Sequence, residues 1–155
     1  QSYIDAARLL PQLKTIMPDL VIFSIGVNDT HGPNFNKQDF IRNYDTLVDR
    51  VLRASPNCAI LFTTVTDNYI RRKTPNKNTL IAHAAILELA KKHNAGYWDM
   101  YKLMGGYKSM PAWVKIHLAS KDKVHFTSSG YRLLGNLMFE AFNKSYRSNS
   151  SLKKN

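Results

Sequence analysis

One stretch constrains the fold more than any other: Asp19-Leu20-Val21-Ile22-Phe23-Ser24-Ile25-Gly26-Val27-Asn28-Asp29. It is a short, unbroken apolar run that a glycine stops and that ends in Gly-x-Asn-Asp. Apolar residues at both odd and even positions, in a run this short, predict a parallel strand buried on both faces. The polar residues then stand just past its C-terminal end, where open α/β sheets bind ligands. Ser24 falls inside the run and is expected to be a core hydroxyl.

The flanking segments supply the rest of an α/β alternation. Ile4, Ala7, Leu10, Leu13 and Met17 recur at near-helical spacing, with Pro11 expected to bend or break the helix. After a loop at Thr30 to Asn34, Asn36 can cap a helix of about five turns. Its apolar face is Phe40, Ile41, Tyr44, Leu47, Val48, Val51 and Leu52. Ala59 to Thr64 reads as a second buried strand, followed by a long polar loop from Thr66 to Asn76. Leu80, Ile81, Ala84, Leu87 and Ala90 mark the next helix, which ends near Gly96. Tyr97-Trp98-Asp99 is a short third strand, and Met110 to Leu118 a short helix. Thr127 caps a last helix with Tyr131, Leu134, Leu137, Met138, Ala141 and Phe142 as its buried face. Residues 1–146 form a single domain and 147–155 a flexible tail. Alternation of this kind predicts a parallel sheet between helical layers.

Composition narrows the function classes. The 155 residues are 44% hydrophobic, enough for one domain with a core and unlike a disordered chain. No apolar run approaches the roughly 20 residues of a membrane span. A single cysteine, Cys58, excludes an internal disulfide and is expected in the core. The formal net charge of +11 is scattered, with no basic stripe interleaved with aromatics. It reads as a solvated surface with some attraction for anions, and not as a specific nucleic-acid site. No His, Cys, Asp and Glu spacing suggests a metal, and no cofactor is expected.

The second informative stretch is Asp122-Lys123-Val124-His125. A carboxylate three residues before a histidine can accept the Nδ1 proton, fix the tautomer and leave Nε2 free as a general base. Alone, Asp-x-x-His is as readily a solvated surface pair.

Together, Gly26-x-Asn28-Asp29 after a strand and Asp122-x-x-His125 before a C-terminal amphipathic helix resemble the SGNH/GDSL hydrolase family, across roughly residues 12 to 142. Pro18-Asp19, Thr127 to Tyr131, Trp98-Asp99, Met104-Gly105-Gly106 and Trp113 look similar to that family as well. The resemblance implies a three-layer α/β/α fold with a flavodoxin-like parallel sheet. It implies a serine esterase or acylhydrolase working through an acyl-enzyme, with O-acetylated carbohydrate or cell-wall material fitting as substrate and a periplasmic or secreted setting fitting as compartment. His125 would be the general base and acid, Asp122 its orienting partner, and Asn28 an oxyanion donor. Gly26 would allow close backbone passage, and Asp29 would hold the loop.

The family's Gly-Asp-Ser block, with the nucleophilic serine, has no counterpart in these residues. Ser2 lacks a preceding Gly-Asp, and Ser128 and Ser129 lie close behind His125 in the first turn of the last helix. The expectation is therefore a C-terminal portion of a hydrolase, with the first strand or strands absent and this chain inactive by itself. The strand at Leu20 to Gly26 would then offer a naked edge to a missing segment or to another chain. The alternative function is a non-catalytic binding module on the same fold. His31, Arg71, Arg72 and Tyr69 are candidates to border the cleft or to be plain solvated loop residues. His83 and His93 read as surface residues. Trp98 reads as core, and Trp113 is either core or a sugar platform.

Overall fold

Three parallel strands, Leu20–Phe23 (β1), Ala59–Thr63 (β2) and Gly96–Trp98 (β5), pair in the order β1-β2-β5. The computed structural model describes residues 8–152, with side chains through residue 148. The register sets Leu20 opposite Ala59, Phe23 opposite Phe62, and Leu61 opposite Gly96. Val21, Phe23, Ile60 and Phe62 therefore share one face, and Leu20, Ile22 and Leu61 the other.

The first face is dry. Helix α1 (Leu9–Ile16), helix α3 (Lys37–Ala54) and helix α4 (Asn78–Lys92) pack over it. Phe40, Tyr44, Leu47, Val48 and Val51 of α3 are buried, as the sequence pattern predicts. Asn36 caps this helix, its side-chain oxygen accepting from the Asp39 N–H at 3.0 Å. Ile4 and Ala7 of the first expected helix lie outside the described residues. Pro11 does not break α1. It stands in the first turn, where its missing N–H would have no helical partner in any case.

Helix α4 corrects the expected face. Leu80 and Ile81 are exposed, and the buried stripe is Ala82, Ala85, Ile86, Leu89 and Ala90. The segment is apolar nearly all round, so either stripe fits a helical period. The small alanine face allows the closer approach to α3 and the sheet, and burial follows it.

The second face is open over β1: Leu20 is 42% and Ile22 41% exposed. The run expected to be buried on both faces is thus an edge strand, and among the described residues no strand pairs along its outer side. Ser24 lies past the end of β1 and is exposed, its Oγ accepting from Thr63 Oγ1 at 3.0 Å.

Helix α7 (Ser128–Leu152) lies on this second face near β2 and β5, where Met138, Ala141 and Phe142 border a groove with Leu61 and Trp98. Of its expected buried face only Leu134 is fully buried. Tyr131, Ala141 and Phe142 are exposed, because three strands offer too little sheet to cover the helix. The helix runs past Tyr146 to Leu152, where a tail was expected. No Gly or Pro stops it, and the Ser148 hydroxyl donates back to the Lys144 carbonyl. The sheet between α1, α3 and α4 on one side and α7 on the other is a three-layer α/β/α arrangement.

Four short elements escape sequence periodicity: helix α2 (Val27–Thr30), the strands β3 (Tyr69–Ile70) and β4 (Thr74–Pro75) that form a hairpin, and helix α5 (Met100–Leu103). Each has four residues or fewer, too few to repeat its pattern. Helix α6 (Met110–Lys115) ends before Leu118. A second apolar cluster, separate from the sheet core, gathers Tyr69, Met104, Met110, Trp113, Phe126 and Leu134. No described helix is long and apolar enough to cross a membrane.

Candidate active site

The C-terminal ends of β1 and β2 and the loop before α7 carry the candidate chemistry. Gly26 follows β1 at a φ of 107°, in the left-handed region that favours glycine. A side chain there would also meet the Tyr44 hydroxyl at 2.9 Å. That hydroxyl donates to the Ile25 carbonyl at 2.7 Å, and burial pushes the phenol pKa up, with the nearby Asp29 charge adding to the shift. Gly26 thereby starts α2, which carries Asn28 and Asp29, both exposed.

Helix α2 is one turn long and is held from outside. Asn76 Nδ2 donates to the Thr30 carbonyl and to Thr30 Oγ1, both at 3.1 Å, and to Asn68 Oδ1 at 2.9 Å. Asn78 Nδ2 reaches the same Thr30 carbonyl at 2.9 Å. Thr30, Asn68 and Asn76 are fully buried, so these bonds satisfy groups that water cannot reach. Composition shows only a polar loop here, and nothing in the pattern marks those asparagines as interior. The one usable signal is the clustering of Asn68, Asn76 and Asn78 ahead of a helix.

The Asp122–His125 loop is built more tightly. Asp122 Oδ1 accepts the N–H of Val124 at 2.9 Å and of His125 at 3.0 Å, which locks the carboxylate. Lys123 between them takes a φ of 60° to make the turn. Asp122 Oδ2 is then 2.8 Å from His125 Nδ1. Partial burial works to raise the Asp122 carboxyl, but the His125 ring and the two backbone N–H bonds outweigh it and hold the group down at about 2. The His125 side chain is 69% exposed, and its Nε2 bonds to none of the described residues.

This loop rests on the second apolar cluster. Phe126 stands edge-on to Trp113 at 5.4 Å and to Tyr131 at 5.5 Å. Trp113 is core, its indole N–H donating to the Met104 carbonyl at 2.9 Å, which removes the sugar-platform alternative. Thr127 caps α7 through the Gly130 N–H at 3.2 Å and donates to the His117 carbonyl at 2.8 Å.

Gly26, Asn28 and Asp29 thus stand in one turn, and Asp122 and His125 in another. The structure joins the two turns through residues 66–76. Asn68 and Asn76 hold α2, and the N–H of the neighbouring Tyr69 donates to the Lys123 carbonyl at 3.0 Å. The same segment contains Asp67, a fully buried carboxylate that accepts from the Met110 N–H at 2.9 Å and whose Oδ1 has no partner. Burial pushes its carboxyl pKa up against those backbone bonds.

A family model for the GDSL-like lipase/acylhydrolase family matches residues 2–133. The chain belongs to that family. Solved structures agree on the fold of this GDSL-like domain. A peptidoglycan O-acetylesterase is similar with a TM-score of 0.85 and 24% identity over 92% of this chain. A lipase/acylhydrolase from Enterococcus faecalis has a TM-score of 0.66 at 22% identity over 89%. An acetyl xylan esterase has a TM-score of 0.65 at 20% identity over 86%. The chain spans 42%, 68% and 72% of those three chains, respectively. A comparison with functionally curated proteins gave no significant match.

Two other histidines in the GDSL-like domain are paired, although sequence reading placed both at the surface. His83 Nε2 lies 3.0 and 3.1 Å from the two oxygens of Asp99, and its ring stacks on Tyr101 at 4.9 Å. Asp99 also accepts from the Lys102 N–H and from Thr64 Oγ1. Burial raises this carboxyl, but those bonds prevail and lower it. His93 Nε2 binds Asp45 at 2.7 Å and ties α4 to α3. In both pairs Nε2 is occupied, so neither ring offers that nitrogen as a base. Among the described residues, no cluster of three His, Cys, Asp or Glu could hold a metal.

Proposed function

We propose that the full-length protein is a serine ester hydrolase acting through an acyl-enzyme, with O-acetylated carbohydrate or cell-wall glycan as its substrate class. The Asp122–His125 pair carries this reading. Its carboxylate is locked by two backbone N–H groups and by Nδ1, and Nε2 stays free at an exposed position. The substrate class is supported by the likeness to a peptidoglycan O-acetylesterase and an acetyl xylan esterase.

In the proposed sequence, a serine hydroxyl gives its proton to His125 Nε2 as its oxygen attacks the ester carbonyl carbon. The carbonyl electron pair moves onto oxygen, where the Asn28 amide donates to it. Such a donor is worth about 3–4 kcal/mol when preorganised. Collapse breaks the bond to the alcohol oxygen, which takes the proton from His125. Water then loses a proton to the same ring and attacks the acyl carbon. Collapse breaks the bond to the serine oxygen, which takes that proton back as the acid leaves. Asp122 keeps the ring in the productive tautomer throughout. Gly26 and Asp29 shape the turn that presents Asn28.

No serine in these residues follows a Gly-Asp pair. The nucleophile of the full-length protein therefore comes from a segment outside them, and these residues alone do not turn over. The same segment, or another chain, covers the outer edge of β1, beside which Leu9, Leu13, Val21 and Leu47 line an apolar groove.

The test is His125→Ala in the full-length protein with 4-nitrophenyl acetate. Loss of a general base lowers kcat by about 10²–10⁴. Unchanged turnover removes the assignment. A wild-type protein that binds acetylated glycan without hydrolysing any ester is instead a binding module on this fold.

A further inference from the structure

A cleft lies between the residues that follow α2 and the β3–β4 hairpin. It has a volume of about 630 Å³, within the range of small-molecule sites. His31 and Pro33 form one wall, and they follow directly on the turn that carries Asn28. Arg71, Lys73 and Thr74 form the other, on the hairpin whose Tyr69 N–H holds the His125 loop. The cleft thus follows directly on the turn of Asn28 and shares a hairpin with the bond that holds the His125 loop.

Three observations give the cleft a chemical sign. None of the described residues that line it is acidic. Arg71 and Lys73 are exposed and have no ion pair among the described residues. His31 Nε2 is shielded from solvent and has no hydrogen-bond partner among the described residues. An imidazole nitrogen left unsatisfied beside two free cations is what an anionic hydrogen-bonding group would complete.

Arg71 and Arg72 take φ values of 49° and 66°, consecutive left-handed residues that close the β3–β4 hairpin and set Arg71 at the cleft edge.

We propose that this cleft binds a carboxylate carried by the glycan, next to the sugar whose ester is cleaved, with Arg71 and Lys73 as its cationic contacts and His31 as a hydrogen-bonding partner. The preferred substrate is then an acidic saccharide chain. The inference deepens the esterase reading and rests on it only for the reaction, because binding can be read without turnover.

The experiment compares two disaccharides that differ by one carboxylate, N-acetylglucosaminyl-N-acetylmuramic acid and chitobiose, titrated calorimetrically into the full-length protein. The acidic sugar should bind at least about tenfold more tightly, with the preference falling as salt is raised. The double variant R71A/K73A should abolish that preference, and Arg72→Ala, whose side chain does not line the cleft, should leave it. A thermal melt confirms that both variants are folded. Equal affinity for the two sugars, no binding of either, or an undiminished preference in R71A/K73A overturns the proposal. Loss of ester hydrolysis in the wild type with the preference intact would instead count against the esterase reading alone.

Discussion

The Tyr69 N–H donates to the Lys123 carbonyl at 3.0 Å, and through this bond the loop of His125 is fastened to the segment that also holds Asn28. Within residues 66–76, Asn68 and Asn76 reach one half of the candidate site and the Tyr69 N–H the other. The relative placement of the candidate base and the candidate oxyanion donor is therefore set by a connecting loop as much as by the sheet.

Asn76→Ala should loosen the oxyanion side first. It removes the donor to the Thr30 carbonyl, Thr30 Oγ1 and Asn68 Oδ1 in a site closed to water. Leaving buried acceptors unpaired costs about 1–3 kcal/mol, measurable by urea unfolding. In the full-length enzyme kcat should fall while an esterase-independent property, binding of product sugar, stays within about twofold.

Gly130→Ala should act on the base. A Cβ there would stand 1.9 Å from the Leu118 carbonyl oxygen, so the first turn of α7 must move. A backbone contact of that kind costs about 1–3 kcal/mol or more. Chemical-shift changes should concentrate at Leu118 and at Phe126 beside His125. A variant as stable as the parent would show that this close approach is absent.

Asp122→Asn tests the carboxylate with little change in shape. The folded-state value of about 2 lies below the ordinary 3.8, so the charged form stabilises the fold. That contribution is complete above the unfolded pKa and is lost as pH falls through the range between the two values. The stability gap between parent and variant should be present at neutral pH and should close below about pH 4. Activity of the full-length variant should drop by about 10²–10⁴ because the tautomer is no longer enforced. A gap that persists unchanged in acid would show that the carboxylate's charge is not what stabilises the loop.

His83→Ala separates the role of the His83–Asp99 pair from that of the His125–Asp122 pair. His83 Nε2 is spent on both oxygens of Asp99, and its ring is stacked on Tyr101. Its loss should lower stability by about 1–2 kcal/mol with kcat unchanged within about threefold. The reverse pattern, intact stability and lost turnover, would move the catalytic assignment away from His125.

Much of the layer structure is visible in the chain because long elements repeat their pattern several times. Helix α3 buries Phe40, Tyr44, Leu47, Val48 and Val51 as its spacing requires, and Asn36 caps it. Asp122 and His125 meet because three residues of loop leave few other geometries. The misses have local causes. α4 is apolar on several sides, so spacing alone chose the wrong stripe, and packing against alanines decides it. β1 reads as doubly buried because its composition is apolar, whereas exposure depends on what lies beside it. The asparagine network is invisible for a related reason: Asn68 and Asn76 look like solvent-facing loop residues until tertiary structure encloses them.

The two apolar clusters have an evolutionary corollary. Phe126, Trp113, Met110 and Leu134 support the histidine loop, while Phe23, Phe62 and the helices over them support the sheet and the turn of Asn28. Substitutions in the smaller cluster can re-aim the base while leaving the sheet unperturbed, and changes at the hairpin tip can alter what is recognised while leaving both clusters alone. A domain divided in this way can change one part by separate, small steps, each starting from a chain that still folds.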